Sequence, residues 1–196
     1  LQMKIADQIY QKFNSGHKQL FLLADPDKFN AEILDSVEFK SISDHVDLFL
    51  LGGSLLSASS VEKTASTLRS KCNIPVVLFP GRSMQLVENV DAVLFLSLIS
   101  GRNPEYLIGQ HVQAAPFLHH HNIEAIPTGY MLIDGGKMTS VQYISHSLPI
   151  PADKTDIAVA TALAGKYLGQ KLLYLEAGSG AENSVPVEMI SAVAKA

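Results

Sequence analysis

Short apolar runs recur along the chain at Leu20 to Ala24, Asp47 to Leu51, Pro75 to Phe79, Ala92 to Leu96, Ile123 to Ile126 and Leu172 to Leu175. Each closes on glycine, proline or a small polar residue, and a segment of helical spacing follows. The runs are continuously apolar, which is the pattern of parallel strands covered on both faces. The spacing predicts helices over Ala6 to Phe13, Ala31 to Phe39, Val61 to Lys71, Tyr106 to His119, Asp156 to Leu168 and Val187 to Ala194. Repeated strand, loop and helix make an α/β protein with crossover helices. Asn103 before Pro104 supplies a start signal for the fourth helix, and Pro186 opens the last. Ser145 to Lys154, with prolines at 149 and 151, reads as the longest irregular connection.

Polar residues gather just after the strands. Asp25-Pro26-Asp27-Lys28, Gly52-Gly53-Ser54, Pro80-Gly81-Arg82-Ser83, Ser97, Thr128-Gly129-Tyr130 and Glu176-Ala177-Gly178-Ser179-Gly180 all fall at predicted carboxyl ends. In a β/α barrel those ends form one mouth, where substrates bind. An open doubly wound sheet uses one switch-point crevice and has no need to equip every loop. The expected fold is therefore a β/α barrel of the TIM type, with residues 1–196 as a single domain.

Composition narrows the function classes. The 196 residues carry 15 Lys+Arg against 19 Asp+Glu, a net charge of -4, with no basic block, so the electrostatic footprint of a nucleic-acid binder is missing. Any anionic ligand must be met by local geometry. Cys72 is the sole cysteine, which removes a disulfide framework and a cysteine-based zinc site and fits a cytoplasmic location. It reads as a small buried hydrophobe before a strand. No apolar run approaches the ~20 residues that cross a bilayer, and neither a signal peptide nor a membrane span is expected.

Among the strand-end residues, Asp25 follows a buried strand and is placed to act as a metal ligand or a base, although Asp-Pro is also a common turn dipeptide. Gly52-Gly53-Ser54 offers a close backbone approach and a hydroxyl, while Ser54 or Ser57 can equally cap a helix. Magnesium keeps several waters and takes one or two protein oxygens, so Asp25 and Ser54 suffice when substrate phosphates complete the shell. Tyr174-Leu175-Glu176-Ala177-Gly178-Ser179-Gly180 puts a carboxylate beside a glycine-spaced turn suited to a phosphate. Glu176 repels that phosphate, so its natural task is to take a proton from a hydroxyl of the same substrate. Gly135-Gly136-Lys137 lacks P-loop spacing and reads as a turn. His119, His120 and His121 are adjacent, project in different directions and read as a solvated helix end.

These motifs together resemble the geranylgeranylglyceryl phosphate synthase family, whose bacterial members include heptaprenylglyceryl phosphate synthases, and most of all its archaeal and Bacteroidetes-like branch. The resemblance runs along essentially the whole chain, through Leu22 to Lys28, Leu51 to Ser54, Leu78 to Gly81, Ser100 to Gly109, Ile126 to Tyr130, Ala158 to Gly165 and Tyr174 to Gly180. It implies magnesium-dependent transfer of a long polyprenyl group, geranylgeranyl foremost, from its diphosphate to sn-glycerol 1-phosphate. On this resemblance Asp25 and Ser54 match the family's Mg2+ ligands, Tyr174 to Gly180 the segment that holds glycerol phosphate, and Glu176 the base. It further implies a homo-oligomer, dimer or hexamer, and transient membrane contact for the lipid product. Against the family pattern the chain stops at Ala196, before two further strands with Gly-Gly-Gly and Gly-Asn turns, so a barrel lacking its last two β/α units is expected.

Two other readings stay open, the first on the residues and the second on the shortfall against the family pattern. One keeps the barrel as a phosphate-sugar isomerase or aldolase, since Glu176 stands beside a phosphate-type turn. The other makes the shortened chain a non-catalytic subunit.

Overall fold

Val61, Ala65 and Leu68 recur four and three residues apart and form one stripe of helix α3 (Ala58–Lys71) that is withdrawn from water and packs on strands β2 (Val46–Leu51) and β3 (Val76–Leu78). Each such Leu or Val contributes roughly 1.5–3 kcal/mol by burial. A computed structural model describes residues 3–53, 58–81 and 85–196. The remaining elements are α1 (Ile5–Asn14), β1 (Leu20–Ala24), a 3-10 turn (Ala31–Asp35), α2 (Val37–Ile42), a second 3-10 turn (Ser43–His45), β4 (Ala92–Leu98), a π-helical turn (Glu105–Gly109) leading into α4 (Gln110–His120), β5 (Glu124–Leu132), α5 (Ser140–Ser145), α6 (Thr155–Tyr167), β6 (Leu172–Glu176) and α7 (Val187–Lys195).

The chain forms two compact units, Leu1–Leu94 with Ala114–Ile126, and Phe95–Gln113 with Pro127–Ala196. In the first unit β1 to β4 pair in parallel, with Ala24 opposite Leu51 and Leu51 opposite Leu78. In the second, the main chain after β4 meets β5, where the Ile99 amide donates to Tyr130 O at 3.0 Å, and β5 pairs in parallel with β6. The hydrogen-bonded strand order is β1-β2-β3-β4-β5-β6. That order follows the chain without a reversal, so the described strands have no switch point of the doubly wound kind. In the second unit Ala158 and Ala162 of α6 and Met189 of α7 close a core over Met131, Ile133 and Ile150.

Four differences from the sequence reading have physical causes. The segment Ala31 to Phe39 is two elements, because the Ser36 hydroxyl accepts from the Phe39 amide at 3.1 Å and starts α2 anew. Thr128-Gly129-Tyr130 is the middle of β5 and no loop. A β-carbon on Gly129 would fall 2.8 Å from Ile99 Cδ1 and 2.9 Å from Leu173 Cδ2, so those side-chain ends occupy the space beside it. Ser97 likewise lies inside β4, buried, and not on a strand-end loop. A short helix, α5, precedes the irregular connection, ending at His146 in the left-handed conformation with φ 50°. Cys72 is half-buried, and burial pushes its thiol up. Among the described residues no helix is long and apolar enough to cross a membrane.

Candidate active site

Strand alternation places Tyr174 and Glu176 on one face of β6, and the register sets Tyr130 of β5 opposite Tyr174. The two rings stack nearly parallel, 10° apart with centroids at 5.6 Å. The Tyr130 hydroxyl then reaches one step along and donates to Glu176 Oε2 at 2.8 Å. Burial pushes the Glu176 carboxyl above the usual carboxylate range, and the Tyr130 hydrogen bond pulls partly against it. Tyr130 and Tyr174 are both pushed up, first by burial and then by the neighbouring Glu176 charge. Among the described residues no cation is paired with Glu176. A half-buried carboxylate with a raised pKa and one fixed oxygen is suited to accepting a proton.

Glu176 ends β6, and the chain turns sharply. Gly178 and Gly180 adopt φ of 95° and 75°, one residue apart, a backbone pattern that builds anion-holding concavities. Ser179 and Gly180 are exposed, and the space beside the Gly180 α-carbon is open. The turn is held from the β5 side. The amides of Glu182 and Asn183 both donate to Gly135 O, at 2.9 and 3.0 Å, and the Gly136 amide donates to Asp134 Oδ1 at 3.0 Å. Gly135-Gly136-Lys137 is thus a turn as its spacing indicates, with Gly136 at φ 89°. Thr139 is buried against Gly178, and its Oγ1 has no hydrogen-bond partner in the structure. Of the expected glycerol phosphate segment, Tyr174, Glu176, Ala177, Gly178, Ser179 and Gly180 lie along this strand end and turn, while Leu175 packs against the core.

In the first unit the register sets Ala24 beside Leu51 and Leu51 beside Leu78, so Asp25, Gly52 and Phe79 follow one another across the carboxyl ends of β1, β2 and β3. The Gly52 amide donates to Ala24 O at 3.1 Å, and a β-carbon on Gly52 would fall 1.9 Å from Phe79 O, so only glycine fits. Gln85, buried, ties the neighbouring loops together by accepting from the Gly81 amide at 2.7 Å and donating to Gly53 O at 3.3 Å. Asp25 Oδ1 accepts from the Asp27 amide at 3.1 Å, and Oδ2 lies 3.4 Å from Lys28 Nζ. The carboxylate therefore organises its turn and still presents hard oxygens at a strand end, which fits one ligand of a magnesium ion. Ser54, Ser57, Arg82 and Ser83 lie outside the described residues. Among the described residues no group of three His, Cys, Asp or Glu side chains gathers to hold a metal, and His121 lies 3.4 Å from Glu88.

Residues 13–196 match the model of the PcrB family. The chain belongs to the PcrB family. Relatives named geranylgeranylglyceryl phosphate synthase, a prenyltransferase, include the Spirosoma linguale protein, 47% identical over 182 residues that cover 93% of this chain and 73% of that protein. The protein of that name from Methanothermobacter marburgensis is 37% identical over 192 residues, covering 97% of this chain and 77% of its own. The crystal structure of (S)-3-O-geranylgeranylglyceryl phosphate synthase from Thermoplasma acidophilum in complex with sn-glycerol-1-phosphate superposes with a TM-score of 0.89 at 29% identity, covering 99% of this chain and 78% of that one.

The sequence reading of this PcrB-family chain missed Tyr130 as a neighbour of Glu176, because Pro127 and Gly129 read as punctuation and hid the continuation of β5. The available signal was the apolar run resuming at Met131 to Ile133. It also missed His111. This buried side chain bonds Ser97 Oγ through Nε2 at 3.0 Å and meets Phe95 edge-on at 4.5 Å, so Ser97 serves the interior of the fold.

Proposed function

We propose that this chain joins a long-chain polyprenyl diphosphate, geranylgeranyl diphosphate foremost, to one of the two free hydroxyls of sn-glycerol 1-phosphate on a β/α barrel. The observation that carries the reading is the half-buried Glu176 carboxylate beside a glycine turn whose outer side is open. In this reading the turn holds the phosphate and Glu176 faces the hydroxyl of the same molecule. A carbon–oxygen bond forms between that hydroxyl oxygen and the prenyl C1. The C1 bond to the diphosphate breaks, its electron pair leaves with the diphosphate, and the hydroxyl proton passes to Glu176. Asp25, with Ser54 from the family pattern, would hold Mg2+, which when bound supplies positive charge against the departing diphosphate. The sequential strand order and the superposition on the Thermoplasma acidophilum enzyme support the barrel.

The test is direct. Incubation with sn-glycerol 1-phosphate, Mg2+ and radiolabelled geranylgeranyl diphosphate should yield a solvent-extractable ether phosphate. Absence of product with prenyl donors from C15 to C35 would overturn the reading.

A further inference from the structure

Tyr130 has no part in the reaction just described, yet three features bind it to Glu176. Its hydroxyl donates to Oε2 at 2.8 Å, its ring is clamped against Tyr174 at 5.6 Å, and the register that pairs it with Tyr174 is fixed by the β5–β6 ladder. The stack leaves the phenol little freedom to swing, so the hydrogen bond is built in before any ligand arrives.

We infer that Tyr130 is a positioning residue for the proton transfer: by occupying Oε2 it holds the Glu176 carboxylate in one orientation and leaves Oε1 to receive the substrate proton. The inference rests on Glu176 being the base. The hydrogen bond favours the ionised carboxylate, opposing the burial that favours the protonated one. Among the described residues, the titratable groups that act on Glu176 are Tyr130 from β5 and Tyr174 from its own strand, and both stay protonated through the neutral range because burial pushes them up. A change in the acid limb caused by Tyr130→Phe therefore reads the carboxylate that the phenol touches, since the substrate phosphate titrates alike in both proteins.

The deciding experiment compares the pH dependence of kcat for the wild type, Tyr130→Phe and Glu176→Gln, with glycerol 1-phosphate and geranylgeranyl diphosphate saturating. Phe keeps the ring stack, and melting curves check that the variant folds. Without the hydroxyl the carboxylate loses its opposition to burial, so the acid limb should move to higher pH. The loss in Tyr130→Phe should be about tenfold greater at the acid end than at the alkaline end, the scale of one hydrogen bond to a charged group. Carboxyl-carbon NMR of glutamate-labelled protein reads the same shift without turnover, as a higher titration midpoint for Glu176. An unmoved midpoint, or a rate loss equal at all pH values, would overturn the positioning role while an inactive Glu176→Gln leaves the base in place. Wild-type rates in Glu176→Gln would overturn the base and this inference together.

Discussion

Thr139 lies so tightly against Gly178 that a β-carbon on the glycine would fall 2.5 Å from the threonine Cγ2 and 2.6 Å from its Oγ1. The backbone at Gly178 also has φ 95°, which side chains other than hydrogen rarely tolerate. Strain and collision act together in Gly178→Ala, and about 2 kcal/mol or more of stability should be lost in urea unfolding. If the turn holds glycerol phosphate, calorimetric titration of the variant should show at least a tenfold weaker Kd. Unchanged stability and affinity would separate the turn from the site.

Replacing Glu176 should have opposite effects on rate and stability. Glu176→Gln removes the proton acceptor and should lower turnover by ~10²-fold or more. The folded carboxyl is raised above its unfolded value, so its contribution to stability is fully present below the unfolded pKa and is lost as pH rises through the folded one. At neutral pH the ionised group is therefore a burden on the fold. Glu176→Gln should melt higher than the wild type at pH 7.5, by roughly 2 °C, with the gap closing below pH 4.5.

Asp25→Asn separates two roles of one carboxylate. Asparagine keeps an oxygen to accept from the Asp27 amide, so the turn should persist. The charge is lost, so the Mg2+ concentration giving half-maximal rate should rise about tenfold, with glycerol phosphate affinity nearly unchanged. An unaltered metal titration would remove Asp25 from the ligand set.

His111 sets an acid limit on stability. Burial pushes its imidazole down from the usual 6.5, so the folded state favours the neutral ring. Its stabilising contribution is complete above the unfolded pKa and is lost as pH falls through the folded one. Melting temperature should therefore drop on acidification from pH 7 to 5. In His111→Leu the drop should be shallower, although the variant starts lower because Ser97 loses its partner. Equal slopes would refute the assignment.

Much of this architecture was written in local chemistry. The run Leu20 to Ala24 forms a strand with the same bounds it shows in the sequence, because a short apolar segment closed by Asp-Pro admits little else. Gly52 was legible as a place of close approach, and the contact it permits is with the Phe79 carbonyl. Glu176 stood out because a carboxylate and alternating glycines share one short segment. Tyr130 was hidden for the opposite reason. Its partner is 46 residues away, the Pro127 carbonyl accepts from the Lys171 amide, and Gly129 faces Ile99 and Leu173, tertiary relations that no local pattern reports. The break at Ser36 and the pairing of His111 with Ser97 likewise depend on which side chain meets which backbone or ring once the chain has folded.

The parallel ring pair at Tyr130 and Tyr174 has a spectroscopic consequence. The 196 residues contain six tyrosines and no tryptophan, so phenols dominate the chain's ultraviolet emission, and one third of them sit beside Glu176. An excited phenol surrenders its proton readily to an adjoining carboxylate and goes dark. A ligand that engages Glu176 should therefore brighten the protein, which makes occupancy measurable with light and without a label.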